Sequence, residues 1–255
     1  MTLANEMRVS LETIIQWLRD SGLKVNESKT EICVFHRSEV RVIEIMVGLN
    51  LVKSVNEMNV LGVKFDSNLK WAPQVSATIK KSFTALHAIK LIKKYFTHKE
   101  LSMLLTSNFF SILYYNSEIW HLKTLHHHLH TQIKSASANA LKLCTPTYDF
   151  YMSYETLHTI NKRANPNQML MYKLAITLYK TVNDRVPQFE WLCLNFTLIL
   201  TTRQTLFQTI NSPRFKIGNN ILNNRFSALN SKIPLEWLSL SLHSYKVKCK
   251  EMFLV

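Results

Sequence analysis

Glycine is scarce in this sequence: Gly22, Gly48, Gly62 and Gly218 are the whole set, each isolated. A phosphate-cradling Walker loop or a dinucleotide fingerprint needs clustered glycines, so both are excluded. Aspartate is equally sparse, limited to Asp20, Asp66, Asp149 and Asp184. The four cysteines, Cys33, Cys144, Cys193 and Cys249, are widely spaced and form no C-x-x-C pair. That pattern fits reduced thiols inside a cell and argues against a disulfide scaffold or a zinc finger. Long apolar runs are missing too; a stretch such as Trp191 to Leu200 is too short to cross a bilayer, and no membrane role is expected. The first residues, Met1-Thr2-Leu3-Ala4-Asn5-Glu6, carry no basic segment followed by an apolar run, so an intracellular, nuclear or cytoplasmic placement is expected. Serines and cysteines show no nucleophile elbow or local triad, which leaves hydrolase chemistry and a small-molecule substrate without support.

What the sequence does have is bulk and positive charge. Its 255 residues, 47% of them hydrophobic, are enough for one or two compact domains. The net charge of +14 is unevenly divided. Residues 1–73 contain nine Lys/Arg and nine Asp/Glu, whereas residues 74–255 contain 22 basic and eight acidic side chains. A basic surface confined to one part of a chain suggests a polyanionic partner there. Nucleic acid is the first candidate and an anionic membrane surface the second; solubility alone is the bland alternative.

Periodicity predicts an α+β, mostly helical chain. Leu3, Met7, Leu11, Ile14 and Leu18 mark an amphipathic helix ending near Asp20-Ser21-Gly22. Thr30 to Phe35, Val42 to Val47 and Val60 to Phe65 read as extended runs. After Pro73, the stripe Val75, Ile79, Phe83, Leu86, Ile89 predicts a helix, with Lys90 and Lys93 near the stripe, so that they snorkel or the helix bends. Further helices are expected from about His98 to Leu122, from Leu125 to Cys144 and from Asn167 to Asn183. Asn211 to Asn224 reads as loop, and Tyr245 to Phe253 as a short basic amphipathic segment. Residues 74–148 hold nine lysines and only two acidic residues, Glu100 and Glu118, so this bundle has at least one strongly positive face.

Two motifs carry a resemblance. Trp17 lies in the first helix and is followed by Gly22-Leu23-Lys24-Val25-Asn26-Glu27-Ser28-Lys29-Thr30. This resembles the stretch after the catalytic strand in reverse transcriptases of non-LTR (LINE-type, Jockey-like) retrotransposons, whose pattern is a Trp-bearing helix, Gly-Leu-x-Leu/Val-Asn-x-x-Lys-Thr and a strand. Asn59-Val60-Leu61-Gly62-Val63 is similar to the family's next element, the primer-grip hairpin, and Leu69-Lys70-Trp71 continues the match. Phe109-Phe110-Ser111-Ile112-Leu113-Tyr114-Tyr115 through Trp120 looks like the family's thumb helix. Thr202-Arg203-Gln204, Phe226 and Ile233-Pro234 with Trp237 resemble its tail, with Leu229 where the family usually has Trp. The resemblance implies a palm remnant over 1–37, a primer-grip-like hairpin over 38–72 built on Leu61, Gly62 and Val63, a basic thumb-like bundle over 73–148 and an irregular helical tail domain over 149–255.

The departure from the family is chemical. Its Tyr-x-Asp-Asp pair lies just upstream of the amphipathic helix, where this sequence begins, and the nucleotide-binding fingers lie further upstream. Two-metal phosphoryl transfer needs clustered carboxylates around ions about 3.5–4 Å apart, and four scattered aspartates do not supply them. Intact relatives would need Mg2+; no cofactor is expected here. By resemblance Lys29 corresponds to the lysine proposed to protonate pyrophosphate, a vestigial catalytic role without the metals; read from its residues alone, it is a solvated lysine in a polar turn. His126 and His130 lie one helical turn apart, yet no third ligand accompanies them, so no metal site is expected. The nucleic-acid-binding candidates are Lys80, Lys81, Lys90, Lys93 and Lys94, placed where a thumb would track a duplex backbone. Phe96, Tyr114, Tyr115 and Trp120 offer faces for stacking bases, with ordinary helix core as the alternative. The expected partner is an RNA or DNA duplex. The competing expectation is a host-retained helical module that binds a protein.

Overall fold

A computed structural model of the chain describes residues 3–35, 42–48, 50–121, 125–145, 151–183, 229 and 232–254. The chain is mostly helical with two small sheets and divides into two compact units, Met1–Gln74 and Val75–Val255.

The first unit opens with helix α1 (Leu3–Asp20). Gly22, at φ +72, closes it: the Leu23 amide donates to the Leu18 carbonyl at 2.8 Å and the Gly22 amide to Arg19 at 2.9 Å, a Schellman cap. The inward face runs through Met7, Leu11, Ile15 and Leu18, whereas Ile14 is 54% exposed. The predicted stripe is therefore shifted by one residue at that position. Met7 and Leu11 pack on Ile32, Ile43 and Ile45.

Ile32 and Ile45 come from, and Ile43 immediately precedes a strand of, a three-stranded sheet of order β1 (Ile32–Cys33), β3 (Asn50–Val55), β2 (Glu44–Val47). Strand β1 runs parallel to β3, with Ile32 opposite Ser54, and β2 is antiparallel to β3. Only Ile32 and Cys33 of the predicted Thr30–Phe35 strand enter the ladder, and β3 was not expected at all.

Val60 to Phe65, an extended run by periodicity and part of a hairpin by resemblance, forms a hairpin: β4 (Glu57–Val60) and β5 (Val63–Asp66), with Val60 opposite Val63. The loop is Leu61-Gly62, at φ +49 and +80. Positive φ at both central residues is the type I′ requirement, which favours Asn-Gly and penalises leucine. Leu61 is also 85% exposed, so burial does not compensate its strain. Leu61→Asn is expected to raise stability by about 1 kcal/mol in urea unfolding; unchanged or lowered stability would mean that the leucine side chain makes a stabilising contact.

Helix α2 (Ala72–Ile92) has Pro73 in its first turn, where the missing N–H has no partner to lose. Its buried line runs through Val75, Thr78, Ser82 and Ile89; Phe83, predicted for the stripe, is 38% exposed. The expected conflict at Lys90 and Lys93 is resolved by termination. The α-helix stops at Ile92, Lys93–Tyr95 forms a 3-10 turn, and every residue from 90 to 100 is exposed.

The predicted continuous helix 98–122 is interrupted. A Thr97–Glu100 capping box starts α3 (His98–Leu104), a π-helical turn spans Leu105–Phe110, and two short helices follow, α4 (Ser111–Leu113) and α5 (Ser117–Trp120). The break between α4 and α5 centres on Asn116, left-handed at φ +45. Helix α6 (His127–Cys144) touches α3, the π-turn, α7 (Tyr154–Ile160) and α8 (Pro166–Val182). Helix α7 was not foreseen, and Trp191 to Leu200, Thr202-Arg203-Gln204, the 211–224 loop and Phe226 lie outside the described residues. The last helix, α9 (Leu242–Leu254), buries Tyr245, Cys249 and Phe253 at fourfold spacing against Leu170, Leu174 and Leu178 of α8. Leu229 and Ile233 of the tail motif join the same core. Among the described residues no helix is long and apolar enough to cross a membrane.

Candidate nucleic-acid interface

All five lysines singled out from the sequence are exposed, on α2 or the 3-10 turn that extends it. At 100° per residue they do not share one face. Lys80 lies opposite the buried line, while Lys81 and Lys90, nine residues apart, occupy opposite flanks about 180° from each other. Lys90, Lys93 and Lys94 gather at the carboxy-terminal end. None of the five forms an ion pair with another described residue. The one carboxylate of residues 72–104, Glu100, is held by the Thr97 backbone amide at 2.7 Å and the Thr97 hydroxyl at 2.8 Å. Those hydrogen bonds, the backbone one first, hold its carboxyl below the usual carboxylate range.

Lysines at a helix carboxy terminus have a purely structural explanation, because they complement the helix dipole. Their surroundings go beyond it. Tyr95 is 73% exposed, with the Lys94 ammonium 4.9 Å from its ring centroid. Phe96, Leu91 and Ile92 are exposed beside it. Aromatic faces among unpaired lysines suit a nucleic-acid strand, with phosphates on the cations and bases on the rings.

The other proposed stacking residues separate into two groups. Tyr115 is exposed, whereas Tyr114 and Trp120 are core, the Trp120 indole donating to the Tyr115 carbonyl at 2.9 Å. Tyr95 was missed in sequence; its signal was the lysine pair immediately before it.

In the first unit, Lys29 ends a 3-10 turn (Glu27–Lys29) and is exposed. The surrounding motif residues build that turn. Ser28 donates to the Asn26 side chain at 2.8 Å and Thr30 to the Asn26 carbonyl at 2.9 Å. Glu27 accepts from Asn50 at 2.7 Å, and a Cβ on Gly48 would collide with its carboxylate. The motif asparagine, serine and threonine thus have local structural work independent of catalysis.

Asp66 has a similar task. Its two oxygens accept the Lys70 and Trp71 amides at 2.9 and 2.7 Å. These bonds hold Leu69 and Trp71 at φ +52 and +66, and Trp71 lies buried on Phe65 with centroids 5.2 Å apart. Together with Leu61, three non-glycine residues between 61 and 71 are left-handed, a concentration of backbone strain that recurs at functional sites. Asp20 accepts from Gln16 at 2.8 Å. Both described aspartates therefore serve local structure.

The histidines form two pairs. His126 and His128 meet through their Nδ1 atoms at 2.7 Å, and His130 Nδ1 lies 3.2 Å from His121 Nε2. The one-turn pair His126/His130 is thus divided between different partners. Among the described residues no three His, Cys, Asp or Glu side chains are placed to hold a metal ion.

The chain matches no protein-family model, no curated protein and no solved structure.

Proposed function

We propose that this chain corresponds to the part of a non-LTR retrotransposon reverse transcriptase that follows the catalytic strand, and that it binds nucleic-acid duplex without sequence preference. The observation that carries the binding is the cluster Lys90, Lys93 and Lys94 beside exposed Tyr95, where the nearest carboxylate in sequence, Glu100, is held in a helix cap. The ancestry rests on the resemblance of the Asn26–Thr30 turn and of the Leu61-Gly62-Val63 hairpin, where Val60 pairs with Val63 across a two-residue loop. These 255 residues catalyse no polymerisation by themselves in this reading. Their four aspartates are scattered, Asp20 and Asp66 bind local donors, and Lys29 has no metal-bound phosphate to protonate.

The test uses two RNA–DNA hybrids of equal length and unrelated sequence, with fluorescence anisotropy of the full chain. Equal affinities within about threefold are expected, together with no primer extension when Mg2+ and nucleotides are added. A preference of tenfold or more for one sequence, or any extension, would contradict the proposal. The competing module that binds a protein draws on the exposed Leu91 and Met103; absence of duplex binding at low salt would favour it.

A further inference from the structure

A second cationic site lies in the cleft beside the π-helical turn, away from the α2 lysines in sequence. Arg163 follows α7, and its Nη2 donates to the Ser102 carbonyl at 2.7 Å, to the Ser102 hydroxyl at 3.0 Å and to the Thr106 hydroxyl. Its guanidinium carbon sits 4.8 Å from the Phe110 ring centroid, which fixes the plane of the group. One nitrogen makes all three bonds, so Nε and Nη1 have no hydrogen-bond partner among the described residues.

Arg163 is half-buried, and among the described residues no carboxylate pairs with it. Burial lowers its pKa from the ordinary arginine value, the mark of a cation held away from water. The third cation of the cleft, Lys173, is already matched by Glu118 at 3.3 Å.

Lys162 adds a second feature. The Arg163 amide donates to the His158 carbonyl at 2.9 Å and the Lys162 amide to Thr159 at 3.0 Å, closing α7 with a Schellman cap. Lys162 occupies the left-handed position of that cap at φ +49, where glycine is the unstrained choice. A strained lysine thus stands beside an arginine without an ion pair among the described residues, at a cavity of about 530 Å³. Arg163 is anchored to the Ser102–Thr106 stretch, where the helix widens into a π-turn, a deformation frequent at ligand sites.

We propose that this cleft binds a phosphoryl group, with the Arg163 guanidinium as the fixed cation and Lys162 as the second. With Nη2 engaged, the Nη1 N–H groups donate to one phosphate oxygen, and the Lys162 ammonium closes on another. The group is either a free phosphate monoester or a phosphate of a nucleic-acid strand. The site stands independently of the α2 lysines.

The test is thermal unfolding of the full chain with inorganic phosphate against chloride at matched ionic strength. Phosphate at about ten times its Kd is expected to raise Tm by about 3–6 °C. Lys162→Gln and Arg163→Lys are expected to weaken phosphate binding about tenfold each; both leave the cleft wall in place even if Arg163→Gln fails to fold. A single strand with and without a 5′-phosphate separates the sources. A Tm rise confined to the phosphorylated strand identifies a monoester, and equal rises that shrink in Arg163→Lys identify the backbone diester. Equal Tm in phosphate and chloride, or wild-type phosphate affinity in both variants, would overturn the proposal.

Discussion

Replacing Lys90, Lys93 and Lys94 together with glutamine is expected to lower duplex affinity on the order of a thousandfold at about 50 mM salt. Each lysine–phosphate contact releases counterions, which contributes about tenfold at that salt. The three side chains lie at one end of α2 with no ion pair among the described residues to lose, so the loss should appear in binding. Lys81→Gln should cost far less, because Lys81 occupies the flank opposite Lys90. The structural alternative makes a different prediction. Lysines that merely complement the helix dipole would lower stability by about 0.3–1 kcal/mol each and leave duplex affinity unchanged. Anisotropy with urea unfolding on the same variants distinguishes the two.

The second large effect concerns acid stability and His121. This ring is 1% exposed, stacked on Trp120 with centroids 5.8 Å apart, and its Nδ1 has no hydrogen-bond partner among the described residues. Burial, and then the positive charge His130 can carry, push its pKa down from 6.5 to about 3. His158 is lowered too, burial outweighing its hydrogen bonds to backbone carbonyls. A histidine with a depressed folded-state pKa takes up its proton more readily when unfolded. Its contribution to stability is therefore complete above the unfolded pKa and falls as pH drops from about 6.5 towards 3, by about 1.4 kcal/mol per pH unit. Between pH 8 and 5, before most carboxylates titrate, His121 alone should remove about 2 kcal/mol of stability. His121→Phe keeps an aromatic ring beside Trp120 and should flatten that part of the profile in urea unfolding. An unchanged profile would mean that the imidazole is hydrated in solution.

The sequence conveyed periodicity better than facing. Helix α1 was legible at both ends because its spacing is regular and Gly22 closes it, but Ile14 and Ile15 are adjacent apolar residues and only packing selects between them. Strand β3 escaped notice because Lys53 and Ser54 interrupt its apolar residues; its register comes from pairing with β1 and β2. The break in residues 98–122 gives little warning, since a π-turn needs no proline or glycine. Charge was the most legible property of the candidate interface, since lysines without nearby carboxylates are visible in sequence. The exposure of Leu91, Ile92, Tyr95 and Phe96 was not, because apolar residues after a helical stripe read as core. Arg163 was invisible as a site residue for a different reason. Its partners Ser102 and Thr106 are 61 and 57 positions away, and only the tertiary fold brings them to it.

The central claim, that the lysines ending α2 grip a nucleic-acid backbone, is tested most directly by the salt dependence of duplex affinity. Three lysine–phosphate contacts predict a slope of log affinity against log salt of about −2.7 or steeper, which is about 40-fold between 50 and 200 mM. The Lys90/Lys93/Lys94 glutamine variant should reduce that slope by about 2.7. A slope near zero in the unaltered chain, or the same slope in the variant, would contradict the claim.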